Sequence, residues 1–371
     1  MAEKRRADDD YVMQPMFTYL GNKRKLLPFI RKAVEDVVQD VGRPLRALDA
    51  FCGSTVVSRM LASYCTEIHT NDLEMYSYVA AKCFLERPSD EQQKRIINHL
   101  AAMNSITEYR PGVITGSYAP DDTQNIRPGE RCYFTHENAL RVDTWRQYVE
   151  DRVEEDVRSW CLCPILIQMS LRANTYGHFK AFSKDKNNVG SFVKVGARAT
   201  DPMVLEAPVF NPNQCTVTCH NEDAVTLLAR LAGHKEKPFD LIYCDPPYNS
   251  HEYCAFYFLH NVVIQNALPA NVNAVTGLPK ERHKSDFNGK KAIDAMRKLL
   301  ELCVSASRIT LISYNDEGII KPDDWAQLLE PYDHTMVEKD YNRYASNRGV
   351  EEEGSRTEVK ERLYRVSAKR L

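Results

Sequence analysis

Apolar residues recur along this chain with two alternating periods. Leu45 to Phe51 is a short run with strand character, and after the small turn Cys52-Gly53-Ser54 the segment Val56 to Tyr64 continues with helical spacing. A second unit of the same kind joins a strand at Glu67 to Thr70, ending in Asn71-Asp72, to a helix from Met75 to Leu85. Further strands are predicted at Gln214 to Cys219, Phe239 to Cys244, Arg308 to Ser313 and near Arg362 to Val366. Helices are predicted from near Lys25 and at Glu222 to Leu231, Tyr253 to Leu268 and Lys290 to Cys303. Such alternation predicts an α/β fold built on a parallel, doubly wound sheet.

Between about Arg87 and Asn213 the pattern changes to long charged helices, notably Glu137 to Val149 and Val157 to Leu171, separated by loops at Arg110 to Gly129 and Thr175 to Pro202. This stretch reads as an insertion. A length of 371 residues agrees, because it exceeds an average domain. Apolar content of 43% and charged content of 27% are ordinary globular values, and no apolar run approaches the roughly 20 residues that span a membrane. Met1 to Asp10 is charged, lacks the apolar core of a secretory signal and reads as a short disordered tail. A cytoplasmic, nucleoid-associated protein is therefore expected, with no membrane partner.

The 11 cysteines lack the paired Cys-x-x-Cys spacing of a structural zinc site, including Cys161 with Cys163 and Cys215 with Cys219 and His220. Reduced thiols and no metal are expected. A net charge of −2 does not mark a nucleic-acid binder, but the distribution changes that picture. From Arg172 to Arg198 the basic residues Arg172, Lys180, Lys184, Lys186, Lys194 and Arg198 face one acid, Asp185. They form a candidate basic patch.

An open parallel sheet binds ligands at the carboxyl ends of its strands. Asp49, Phe51 and Gly53 stand there on the first strand, and Asp72 lies at the spacing of an acid that holds ribose hydroxyls. Gly53 stands alone, with Thr55 where another glycine would come, which disfavours a nicotinamide dinucleotide. Near the N-terminus, Phe17-Thr18-Tyr19-Leu20-Gly21-Asn22-Lys23 offers aromatic residues, a turn glycine and an ammonium suited to an adenosyl pocket, with Lys23 pairing a methionyl carboxylate.

The most specific feature is Asp245-Pro246-Pro247-Tyr248, directly after the strand Phe239 to Cys244. The two prolines forbid helix and hold the backbone extended, so the loop is rigid. The Asp245 carboxylate and the Pro246 carbonyl can accept both hydrogens of an exocyclic amine, whose lone pair then attacks a sulfonium methyl group. Tyr248 stacks on the base, which leaves the duplex to reach the pocket.

These motifs and their order resemble the Dam-like, D12-class, α-group family of DNA adenine-N6 methyltransferases. Phe17 to Lys23 is similar to its N-terminal cofactor motif, Asp49 to Thr55 to its glycine motif, Asp72 to its ribose-binding acid, and Asp245 to Tyr248 to its catalytic motif. Phe134 to Asn138, Arg172 to Thr175, His283 to Phe287 and Ser313 to Asn315 are similar to a bacterial branch; Thr55 departs from the usual glycine. The resemblance implies a Rossmann-like methyltransferase sheet, S-adenosyl-L-methionine as cofactor, and cofactor contacts from Tyr19, Lys23, Asp72 and Asp245. It implies a catalytic domain of residues 1–84 and 209–371, and an inserted, mainly helical recognition lobe of residues 85–208. The expected substrate is double-stranded DNA, met by Arg172, Lys180, Lys184 and Lys186, with a restriction endonuclease as a further partner. The tetrapeptide alone serves cytosine N4 or adenine in RNA equally well, and an inactive DNA-binding subunit is the rival from another class.

Overall fold

The architecture is that of a computed structural model describing residues 10–14, 18–232, 237–342 and 358–369. The expected tail, Met1 to Asp10, lies outside the described residues except for Asp10, and so does Phe17 of the N-terminal motif. The chain forms two compact units: Met1–Gly21 with Glu74–Pro212 and Tyr253–His283, and Asn22–Leu73 with Asn213–Glu252 and Lys284–Leu371. The insertion expected at residues 85–208 falls within the first unit, which also takes in the helix Met75–Leu85 and the segment after Glu252.

The second unit is an α/β sheet unit of Rossmann-like type. Its strands are β1 (Leu45–Asp49), β2 (Cys65–Asn71), β3 (Thr216–His220), β4 (Phe239–Cys244), β5 (Ser307–Asn315), β6 (Tyr332–Asn342) and β7 (Glu358–Ala368). They lie in the order β3-β2-β1-β4-β5-β7-β6. The first five are parallel, whereas β7 runs antiparallel to both β5 and β6. β4 is buried at all six positions, as a central strand covered on both faces must be, which is why its sequence is a continuous apolar run broken only by Asp240. Leu48, Ile242, Leu299, Leu300 and Trp325 belong to its core.

The strand β6 is absent from the sequence reading. It is an edge strand, exposed from Asp333 to Asp340 and rich in charged residues, so no apolar alternation announces it. At the sheet's centre the strand order reverses between β1 and β4, and that is where ligands bind in open α/β sheets.

In the first unit, helices at Met75–Leu85, His136–Arg152 and Arg158–Arg172 lie where the apolar spacing predicts them. Their core includes Tyr76, Phe84, Trp145 and Leu166. Two departures have identifiable causes. Val113–Tyr118, within a predicted loop, is helical because the distant Asp143 carboxylate accepts from the amides of Gly112, Ile114 and Thr115 at 2.7–2.9 Å. The single helix predicted from Tyr253 to Leu268 is broken into Tyr253–Phe256 and Phe258–Gln265, with the Phe256 carbonyl taken by the Phe179 amide at 2.7 Å.

The predicted loop Thr175 to Pro202 contains a tight reversal. Lys184 and Gly190 form an antiparallel bridge, and the Asp185 carboxylate accepts from the amides of Asn187 and Val189. A Cβ at Gly190 would stand 2.5 Å from the Cys132 Cβ, so only glycine fits. The buried Asn174 fastens this reversal by donating to the carbonyls of Cys132 (2.9 Å) and Ser191 (3.1 Å). Asn174→Ala strips both carbonyls of a partner. We expect it to lower stability by about 1–3 kcal/mol, read as a denaturant midpoint, and to speed proteolysis within residues 182–191. An unchanged midpoint would show that water replaces the amide at no cost.

Candidate active site

Every candidate of the second unit gathers at the carboxyl ends of β1, β2 and β4. The β1 carbonyl-end turn is fixed from its neighbours: the Ala50 amide donates to the Tyr243 carbonyl at 2.9 Å and the Cys52 amide to the Asn71 carbonyl at 2.8 Å. Gly53, with φ of 45°, donates its amide to Asp72 Oδ2 at 2.8 Å. The acid at the end of β2 and the glycine after β1, 19 residues apart, are thus directly bonded. Asn221 supports the same corner by donating to the carbonyls of Asp72 and Leu73 at 2.8 and 3.1 Å.

Asp49 is turned inward. It is 1% exposed, and its carboxylate accepts from Ser58 Oγ at 2.6 Å and from the Phe51 amide at 3.4 Å. Burial raises its pKa to about 7 against these hydrogen bonds, and Asp245 and Asp72 push the same way. It therefore organises the turn from inside. Phe51 remains partly exposed, its ring edge-on to Phe287 at 5.5 Å. Thr55 is buried and left-handed, with φ of 62°, a conformation glycine adopts without strain and a β-branched residue does not.

At the end of β4, Asp245 meets Lys23. The ammonium lies 2.9 Å from Asp245 Oδ1, 3.2 Å from Glu361 Oε1 on β7, and 5.2 Å from the centre of the Tyr248 ring. Lys23 and Glu361 are 4% and 0% exposed at their side chains, while Asp245 keeps 18% and is accessible from the site. Burial opposes the charge on Lys23, but Asp245 and Glu361 outweigh it and raise its pKa, so the lysine is cationic. Burial raises the Asp245 pKa to about 6, with Lys23 opposing and Glu361 reinforcing. Lys23 is thus held by two protein carboxylates, where the sequence reading gave it a methionyl carboxylate. Pro246 is buried. Tyr248 is fixed by an edge-on contact to Tyr314 at 5.9 Å and by the Ile319 amide, which donates to its carbonyl at 2.9 Å.

In the first unit, the Tyr19 ring stacks on Tyr253 and Tyr257 with centroids 5.3 and 5.2 Å away, and Leu20 is fixed by hydrogen bonds with both of their hydroxyls. Arg172 is spent locally, donating to Asp201 at 3.1 Å and to the Arg198 carbonyl at 3.2 Å. Lys180 and Lys184 lie over the rings of Phe256 and Phe182, and Lys186 is exposed at the reversal. Among the described residues, no group of three or more histidine, cysteine or acidic side chains is placed to hold a metal. All 11 cysteines are free.

A Rossmann-like sheet ending in Asp-Pro-Pro-Tyr beside its topological switch point defines the class of a methyltransferase. The family described as D12 class N6 adenine-specific DNA methyltransferase matches residues 19–267. The chain is 30% identical over 318 residues to Type II methyltransferase M.CviAII of Paramecium bursaria Chlorella virus 1, covering 85% of this chain and 88% of that protein. It is 24% identical over 339 residues to Type II methyltransferase M.NlaIII of Neisseria lactamica, covering 89% and 93%. It is 27% identical over 329 residues to Modification methylase StsI of Streptococcus sanguinis, covering 85% of this chain but 46% of that protein. The chain belongs to the D12 class N6 adenine-specific DNA methyltransferase family.

Sequence reasoning missed Glu361, Ser58 and Phe287 as parts of the site. Glu361 had a signal: it occupies the inward phase of an alternating strand, between the buried Val359 and Leu363, where an acid is out of place. For Asp49 the sign of the pH effect is definite. Its folded pKa, about 7, exceeds the ordinary 3.8, so the wild type loses stability as pH rises through that window. Asp49→Asn, which cannot ionise, should gain on the wild type between about pH 4 and about pH 7 in thermal melts, with no further gain above that. Parallel curves would contradict the buried-acid assignment.

Proposed function

We propose that this methyltransferase moves a methyl group from S-adenosyl-L-methionine to the N6 amine of an adenine extruded from double-stranded DNA. The single observation that carries the reading is the Asp245 carboxylate, accessible at the end of β4 and pinned by the buried Lys23 ammonium at 2.9 Å. The donor set fits the cofactor's parts. Asp72, at the end of β2, has the position and chemistry to hold ribose hydroxyls; Phe51 offers a partly exposed ring; and the carboxylates at β4 and β7 outnumber the lysine beside them, which suits a cationic sulfonium. When bound, the cofactor supplies an electrophilic methyl group.

The residues of the chain do the rest. Asp245 and the Pro246 carbonyl accept the two amine hydrogens, which turns the nitrogen lone pair out of conjugation with the ring and toward the methyl carbon. The N–C bond forms as the S–C bond breaks, and the amine nitrogen then sheds one proton, for which Asp245 is the acceptor. Tyr248, held by Tyr314, stacks on the extruded base. In the first unit, Lys180, Lys184 and Lys186 supply the phosphate contacts, because Arg172 is already bonded to Asp201. The relatives named type II methyltransferases and modification methylases support a place in a restriction-modification system beside a cognate endonuclease.

The test is transfer from methyl-labelled S-adenosyl-L-methionine to unmethylated DNA, followed by digestion to nucleosides and mass spectrometry. The label is expected in N6-methyladenosine of the deoxy series, with Asp245→Asn reducing the rate by about a hundredfold or more. Label in N4-methylcytosine, or an undiminished rate in Asp245→Asn, would overturn the reading.

A further inference from the structure

We propose that Glu361 is a positioning residue for this reaction: by sharing the Lys23 ammonium, it leaves Asp245 its full strength as an acceptor at the reacting amine. The proposal rests on the methyl-transfer reading and concerns a residue outside the catalytic tetrapeptide, on β7, which pairs antiparallel with β5.

The geometry is that of one cation between two carboxylates. Lys23 Nζ stands 2.9 Å from Asp245 and 3.2 Å from Glu361, and Ser313 Oγ donates to the same Glu361 oxygen that faces the lysine. Sheet register produces this arrangement: Asn315, at the carboxyl end of β5, lies opposite Glu361, which places the acid on the same side of the sheet as the carboxyl end of β4. Glu361 is completely buried. A wholly buried glutamate is a costly choice for a strand position whose neighbours Val359 and Leu363 are apolar. Lys23 and Asp245 alone would already be a balanced pair, so charge balance does not call for a second acid.

What Glu361 changes is the state of Asp245. In a closed one-to-one pair, the whole pull of the ammonium would fall on Asp245 and compete with the amine hydrogens for its charge. With Glu361 present, the ammonium is shared and the cluster carries one surplus negative charge. That surplus favours the positive charge that develops on the amine nitrogen as the methyl group arrives.

The groups facing Asp245 are Lys23 from before the helix Leu27–Val41, Glu361 from β7, Tyr243 and Cys244 from β4, Tyr248 from the loop after it and, more distantly, Asp49 from β1 and Tyr341 from β6. Of these, Glu361 is the acid that raises the Asp245 pKa, against Lys23, which lowers it. Removing the Glu361 charge must therefore move the ionisation of Asp245 to lower pH.

The decisive variant is Glu361→Gln, which keeps shape and an oxygen for Lys23 but not the charge. Single-turnover methyl transfer to unmethylated DNA would be followed from about pH 5 to about pH 9, with S-adenosyl-L-methionine affinity measured by calorimetry and folding by thermal melts. The expected results are a rate reduced about tenfold or more at high pH, an acid limb displaced to lower pH, cofactor affinity within about threefold of wild type, and an undiminished melting temperature. Glu361→Asp, which restores the charge, should recover part of the rate. A lower melting temperature with rate and acid limb unchanged would assign Glu361 a structural role and overturn the proposal. Should Glu361→Gln not fold, Glu361→Asp carries the test: a reduced rate with the acid limb displaced to lower pH, at unchanged cofactor affinity, supports the proposal, and a wild-type rate and acid limb overturn it. Absence of methyl transfer by the wild-type protein would instead remove the functional reading on which the proposal rests.

Discussion

The structure of the site depends on one buried cation. Lys23, almost without solvent access, is tolerable because the Asp245 carboxylate balances its charge, and Glu361 meets the same ammonium from a different strand. The interaction ties a residue that precedes the helix Leu27–Val41 to the centre of the sheet and to its antiparallel side. Removing any one of the three leaves an unmatched charge or an altered balance in a medium that screens poorly. Asp245 is thereby held in one orientation and keeps a pKa of about 6, low enough to be ionised at neutral pH and high enough to be a competent base.

The sheet exists to bring these groups together. β1 and β4 are adjacent at the point where the strand order reverses, so the turn from Ala50 to Thr55 and the loop from Asp245 to Tyr248 leave the sheet side by side. The prolines stiffen one; the carboxylates of Asp49 and Asp72, which accept from the Phe51 and Gly53 amides, and the Asn71 amide, which donates to the Ala50 carbonyl, stiffen the other. Thr55 carries local strain at the start of the helix Val56–Ala62, where a glycine would carry none.

The sheet's interior and the catalytic loop were legible in sequence because their signals are local. A six-residue buried strand reads as an apolar run, and Asp-Pro-Pro-Tyr constrains its own backbone. What escaped depends on partners far along the chain. β6 is an exposed edge whose pairing with β7 leaves no periodic trace. The helix Val113–Tyr118 is capped by Asp143, and the reversal at Lys184–Gly190 is fastened by Asn174, neither of which a local window contains. Lys23 was marked by its motif, but its partners were not, because Glu361 lies 338 residues away in sequence and is joined to it only by sheet register. The acid on the buried phase of β7 was the trace available.

Lys23 acts through Asp245, and a double-mutant cycle tests this coupling most directly. Single-turnover rates would be measured for Lys23→Met, Asp245→Asn and the double variant on the same DNA. If the two residues work as one unit, the double variant is no slower than the slower single variant. Losses that multiply, as for independent residues, would contradict it.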